Sequence, residues 1–403
     1  MDEITDHGLP PLNLELAAVA ALRPADPHRV YLKMLARRPV AWTPRGAVAV
    51  FGMEDVLEIN RHPGIAGSGG SAAPNGSLGA ERPLIPLDID GKEHRKYRRL
   101  LDPLFSPKRV AEWEPIVRAR ANELVDGFIG AQRAELYLQF CTPLPSSIFV
   151  DIMGIPRGDR DAFITFAGDV VRPQGRTIEE MVAFSQAAGK RAYAYFEDLL
   201  EERGAATPSH ADLIAMLMAA EVDGERLTRR QIIDIVYLLM IAGVETTVAS
   251  LSCLFAWLAQ HAAERQWILD DPNRWPDAIE ELIRFESPVM YGNRTALEDV
   301  HIGGRFFPKG THFDVSWSAA NLDPAVFEDP LNVHLDRNPN LHVGFASGFH
   351  RCLGSHLARL ELRIAMNEFH RRIPEYRIDP SDQLAYSAVA VRRAHHLPIV
   401  WDS

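Results

Sequence analysis

Cysteine is scarce in this chain of 403 residues: Cys141, Cys253 and Cys352 are far apart and form no CxxC pair. That argues against both a disulfide framework and a thiolate zinc site, and a reducing cytoplasm is the expected compartment. The N-terminus, Met1-Asp2-Glu3, lacks the basic and apolar regions of a secretory signal. Neither secretion nor a membrane anchor is expected. Positive charge is also in deficit. With a formal net charge of -11, attraction to nucleic acid or anionic lipid would need a local basic patch. No internal repeat is present, and low complexity is confined to residues 64–79, rich in Gly, Ser and Ala, which read as a mobile loop.

What remains is an ordinary globular composition, 47% hydrophobic and 24% charged, with enough apolar material for a large core. The length permits two or three average domains or one large helical unit. We expect a single domain over residues 1–403, mainly α with small β-sheets, and residues 1–25 extended or partly ordered. Strand signals are few: Val40 to Trp42, Val48 to Phe51, Val300 to Ile302, Phe313 to Val315 and Ala385 to Val391. The longest helical candidate starts at Thr228, which forms a T-x-x-Q capping box with Gln231, and runs to about Gln260. It is nearly as apolar as a membrane span. Asp234 and Glu245 interrupt it, so it reads as the central helix of a soluble domain.

One cysteine stands out. Cys352 lies in Phe345-Ala-Ser-Gly348-Phe-His350-Arg-Cys352-Leu-Gly354, between glycines and just before a helical segment. Arg351 and the following helix N-terminus both favour a thiolate, while Gly348 and Gly354 permit sharp turns and leave room for a flat ligand. A lone cysteine is otherwise most often a buried free thiol. Inside the long helix, Ala242-Gly243-Val244-Glu245-Thr246-Thr247 sets an acid and two hydroxyls beside a glycine that costs about 1 kcal/mol relative to alanine. Two readings stand: a local opening of the helix around a small ligand, or a packing glycine with threonines bonded back to the preceding turn. Glu281 and Arg284 share a helix face and can pair, as countless surface residues do. His94 and Arg98, spaced i, i+4, share a face of a basic helix.

Taken together these segments resemble the cytochrome P-450 family: the FxxGxHxCxG haem loop, the A-G-x-D/E-T-T oxygen-activation motif, the ExxR helix with its downstream Asn293-Arg294-Thr295-Ala296, and the H-x-x-x-R element, in the family's order. The resemblance implies a haem b cofactor with Cys352 as axial iron ligand, and with Ala242, Gly243, Phe345, Gly348 and Gly354 against the haem. It implies that His94, Arg98, Arg294 and His350 hold the propionates, that Glu245 and Thr246 serve O2 activation, and that Glu281 and Arg284 are structural, with Arg337 as their partner. The family's reaction uses O2 as cosubstrate, placing one oxygen atom in an apolar organic molecule and the other in water. No flavin or dinucleotide domain is visible. Electrons from NAD(P)H are therefore expected through a ferredoxin-type partner and its reductase, docking on a basic patch of Arg95, Lys96, Arg99, Arg359 and Arg363. A monomer is expected.

Departures from the family pattern are Ala346 where Gly is usual, Phe349 where many bacterial members have Pro, and Glu245 where many have Asp. Pocket walls are expected from Gly64 to Pro86, Phe163 to Ala188, Tyr237 to Thr246, Val289 to Asn293 and Tyr386 to Val391, with Leu239, Val289, Met290 and Tyr291 as pocket residues. These walls are mostly apolar, so a neutral, compact substrate is expected; Arg172 and Arg176 oppose that view. A peroxide-using or isomerising haem-thiolate enzyme is the alternative, and a haem-based gas sensor is a third reading.

Overall fold

The longest apolar stretch becomes the axis of the fold. Thr228 Oγ1 accepts from the Gln231 backbone N–H at 3.3 Å, and Gln231 Oε1 accepts from the Thr228 N–H at 2.8 Å. This reciprocal cap starts a helix that runs unbroken from Arg229 to Gln260. By length and composition it could cross a membrane, but 78% of its most apolar window is buried inside the protein. The computed structural model describes Leu9 and residues 25–37, 40–43, 46–67, 78–80, 82–171, 174–204, 212–388 and 391–402. The expectation for residues 1–25 thus lies almost wholly outside the described residues, as does most of the loop expected over residues 64–79.

The helices that position the site are α1 (Met53–Arg61), α2 (Gly91–Leu101), α3 (Glu114–Asp126), α4 (Pro143–Met153), α5 (Arg160–Val171), α6 (Ile178–Gly204), α7 (Arg229–Gln260), α8 (Trp275–Glu286) and α9 (Ser355–Arg372). Helices α4, α5, α6, α8 and α9 all pack on α7, and α9 also packs on α3. At the α7–α9 contact Phe255 meets Phe369 edge-on at 4.8 Å, Phe140 at 5.7 Å and the stacked ring of His370 at 5.6 Å. Such ring pairs add to the stabilisation from area burial.

A five-stranded sheet lies at one side. Its strands are β1 (Val40–Trp42), β2 (Val48–Val50), β3 (Ile65–Ala66), β4 (Tyr291–Ala296) and β5 (His312–Ser316), in the order β1-β2-β5-β4-β3. β5 runs parallel to β2, with Phe313 opposite Val48, and antiparallel to β4, with Val315 opposite Gly292. The sequence does not announce β4, because Tyr-Gly-Asn-Arg-Thr-Ala has little strand propensity; pairing on both edges supplies what propensity lacks. The single strand expected from Ala385 to Val391 is instead the first arm of a hairpin, β6 (Ala385–Ala388) with β7 (Arg392–His396). Residues 389–390 lie outside the described residues.

Phe255 is fully buried among aromatic rings. Phe255→Ala should lower stability by about 3–5 kcal/mol, read as a reduced urea midpoint; an unchanged midpoint would show that this cluster does not hold α7 to α9.

Candidate active site

Between Ile232 and Ala259 nearly every residue of α7 is buried. The exceptions are Leu239, Ala242, Gly243, Thr246 and Ser250, whose spacing of three and four places them on one face. This accessible stripe lies halfway along an otherwise buried core helix. The helix does not open at Gly243. Thr246 Oγ1 donates to the Ala242 carbonyl at 2.6 Å and Thr247 Oγ1 to the Gly243 carbonyl at 2.9 Å, so of the two sequence readings the structure shows back-bonded threonines in a continuous helix.

Cys352 has the same combination of depth and accessibility. It is crowded enough that burial pushes its thiol above the ordinary value, against the Gly354 N–H and the charges of Arg98, Arg359 and Arg351, yet its own surface is open. Its backbone N–H donates to the Phe345 carbonyl at 2.9 Å, folding residues 345–352 into a closed loop. Two positive φ angles shape that loop, Gly348 at 69° and Ala346 at 54°. At Gly348 a Cβ would collide with the Asn60 carbonyl at the end of α1, so glycine is required there for space as well as for backbone conformation. Ala346 takes the left-handed conformation in spite of its Cβ.

A second cluster gathers two histidines and an arginine near the start of α2. The His94 and His350 rings lie 4.2 Å apart, and His350 Nε2 is 2.9 Å from Asp90 Oδ1, which also accepts from the Gly67 N–H at 2.7 Å. His94 is buried with no partner on Nε2; burial, with His350 and Arg98 nearby, holds its pKa down at about 4. Arg294 on β4 is buried too, its pKa lowered by burial to about 10 and partly restored by Asp90. Arg98, near enough for its charge to act on His94, spends its own donors elsewhere. Its Nε donates to Asp102 at 2.8 Å and its Nη1 to the Arg351 carbonyl at 2.8 Å, which ties α2 to the cysteine loop.

Glu281 and Arg284 on α8 form a bidentate pair, both contacts at 2.7 Å, with both side chains fully buried. Glu281 also accepts from the His334 N–H at 2.9 Å, Arg337 Nε at 3.0 Å and Asn340 Nδ2 at 3.1 Å. Arg284 donates to the carbonyls of Asn321, Pro330 and Asn332. These bonds pin an irregular segment that leads directly to the Cys352 loop.

Sequence reasoning missed three participants. Arg393 on β7 donates from Nη1 to Glu245 Oε2 at 3.2 Å, so the acid of α7 is buried and paired with the C-terminal hairpin. Asp90 sits among the cations. Glu280, next to Glu281, binds Arg359 and His342. No local signal could have found Arg393, which is 148 residues from its partner. The expected basic patch is also altered, because Lys96 and Arg99 lie 3.7 Å from Asp223, Arg359 is taken by Glu280 and Arg363 by Glu114. Of the pocket candidates, Leu239 is on the open stripe, and Val289 and Tyr291 are half-buried. Met290 turns the other way, into the core, with its sulfur 3.8 Å from Tyr31 Oη, because successive residues of extended chain face opposite sides. Arg172 is outside the described residues; Arg176 is exposed.

The chain is similar to known proteins in sequence and in structure. The family model described as Cytochrome P450 matches residues 167–264 and 276–375. The chain is 32% identical over 363 residues to a methyl-branched lipid omega-hydroxylase of Mycobacterium tuberculosis, covering 86% of this chain and 82% of that one. It is 34% identical over 321 residues to the mycinamicin IV hydroxylase/epoxidase of Micromonospora griseorubida, covering 78% and 79%. The crystal structure of CYP109E1 from Bacillus megaterium in complex with corticosterone superimposes with a TM-score of 0.84 at 30% identity, covering 94% of this chain and 99% of that one.

Glu281 should show itself through pH. Burial raises its pKa, but Arg284, the His334 N–H and Arg337 outweigh burial and hold it below its ordinary value of 4.5. A lowered carboxylate contributes stability above that value and loses it as pH falls through the folded-state pKa. Glu281→Gln should therefore cost about 3–5 kcal/mol at neutral pH, with the gap to the native protein constant above pH 5 and narrowing below 4.5. A gap that widens in acid would contradict the buried pair.

Proposed function

Since the chain belongs to the cytochrome P450 family and is a monooxygenase, we propose that haem b lies between the open stripe of α7 and the Cys352 loop, with Cys352 as its thiolate ligand. The observation that carries this reading is the stripe itself, an accessible face in the middle of a buried helix. The cationic cluster fits the propionates: His94 Nε2 is buried without a partner, and Arg294 and His350 lie beside it, which suits a buried dianion. Arg98 keeps donors beyond those given to Asp102 and Arg351. Haem, when bound, supplies O2 activation and oxygen-atom insertion.

The protein's own residues then orient substrate and move protons. Thr246 lies on the stripe with its hydroxyl proton on the Ala242 carbonyl; turned to the substrate side, that hydroxyl would pass its proton on as it takes one from the Glu245 side, where Arg393 of the C-terminal hairpin holds the acid. Ala242 and Gly243, with little or no side chain, let the flat ring approach the helix. Leu239, Val289 and Tyr291 offer apolar or aromatic contact, and relatives named for a methyl-branched lipid, a mycinamicin and a steroid support an apolar substrate. The products we propose are hydroxylated or epoxidised. Electrons come from an acidic ferredoxin-type donor, with its reductase, that docks on exposed Lys92, Arg95 and Arg351; Lys92 and Arg95 share one face of α2.

Two measurements test this. Cys352→Ala should abolish the thiolate signature of the reduced, CO-bound protein, and a signature that survives would overturn the ligand assignment. Thr246→Ala should keep haem and substrate binding and still consume NAD(P)H in a reconstituted system, with product falling and hydrogen peroxide rising. Full coupling in that variant would reduce Thr246 to a helix-packing residue.

A further inference from the structure

Glu280 and Glu281 are neighbours on α8 with different tasks. While Glu281 is locked into the buried pair, Glu280 projects about 100° away around the helix and meets Arg359 of α9 and His342. Arg359 on α9 grips it with both arms of the guanidinium, Nε to Oε1 at 2.6 Å and Nη2 to Oε2 at 2.7 Å. His342 Nε2 lies 2.9 Å from Oε2. His342 Nδ1 accepts the Gly344 N–H at 3.1 Å, so Nε2 carries the ring proton and donates it to Glu280. Burial raises the Glu280 carboxyl, but the hydrogen bonds and charges of Arg359 and His342 outweigh it and hold the pKa at about 2. Glu280 is thus an anion at any working pH.

The other end of this arrangement leads to the Cys352 loop. The Arg359 guanidinium lies 4.2 Å from the centre of the Phe345 ring, and the Phe345 carbonyl accepts the Cys352 N–H. Arg359 is also one of the three cations whose charge acts on the Cys352 thiol. Of the others, Arg98 is paired with Asp102 and Arg351 is exposed. A cation close to a thiolate weakens its electron donation, and its field also favours an added electron on the ligated metal. A carboxylate fixed on that cation opposes both effects.

On the reading of Cys352 as haem ligand, we propose that the Glu280–Arg359 pair is a positioning device that sets the electron-donating strength of the Cys352 thiolate, and with it the reduction potential of the bound haem. Glu280 keeps the potential low by masking Arg359, and the rigid Glu281–Arg284 pair next door keeps Glu280 in place.

The test is a charge cycle on haem-loaded protein, with the midpoint potential measured by spectroelectrochemistry and the reduced, CO-bound spectrum recorded for each variant. Glu280→Gln should favour the ferrous form about tenfold, a rise of about 59 mV for one electron. Arg359→Gln should shift the potential by a similar amount in the opposite direction. The double variant should return close to the native value, and Arg359→Lys should stay near it. A purely structural role would move both single variants in one direction and would not cancel in the double. Shifts of equal sign, or no shift, overturn the proposal. If Glu280→Gln fails to load haem, the comparison of Arg359→Gln with Arg359→Lys decides, and equal potentials there overturn it as well. A native protein without the thiolate signature would instead defeat the ligand assignment on which the proposal rests.

Discussion

The structure around the cysteine depends on one buried ion pair. Taking Glu281 and Arg284 out of water costs several kcal/mol per ion before anything is gained, so every remaining lone pair and proton has to find a partner. Those partners come from the irregular chain between Asn321 and Asn340. A segment with no helix or strand to order it is thereby held by side chains from a helix that is itself packed on α7 and α9. Such a pair is a poor source of net stability compared with apolar packing. Its value here is geometric, since it defines the path by which the chain arrives at Cys352.

The central helix shows the complementary economy. Most of its circumference is committed to contacts with the surrounding helices and two strands, and one stripe, Leu239 with four small or polar residues, is left uncommitted. Glycine and threonine weaken a helix intrinsically, but burial on every other side compensates. Site and core are therefore one object, with the same residues that hold α7 in place making its open face rigid.

Features carried by local spacing were legible in the sequence. The Thr228 cap, the extent of α7, the Glu281/Arg284 spacing and the glycine-flanked Cys352 loop all depend on residues close along the chain, and the contact between Arg337 and Glu281 was reachable by family resemblance. Features that depend on a distant partner were not. β4 is a strand because β3 and β5 flank it. Glu245 has no charge partner within reach along the sequence and is buried against Arg393 in the fold. Lys96, Arg99, Arg359 and Arg363 read as a patch of free charge until Asp223, Glu280 and Glu114 are brought beside them. Sequence shows which charges exist, and only the fold shows which are already neutralised. Arg392 and Arg393 make the same point within one strand, since alternation sends the first to Glu286 and the second to Glu245.

Ala346 bears on how this loop can vary. A residue with a Cβ held at a φ of 54° lies about 1–2 kcal/mol above its relaxed conformation, and the surrounding loop keeps it there through the Ala346 N–H to Val343 and the Cys352 N–H to Phe345. Valine, isoleucine or threonine would add a branched Cβ to an already crowded backbone. The spectrum of side chains open to this position is thus narrow, running from glycine through alanine to asparagine or aspartate. A chain two residues from the exposed Gly348 turn has less freedom to drift than many positions in the hydrophobic core.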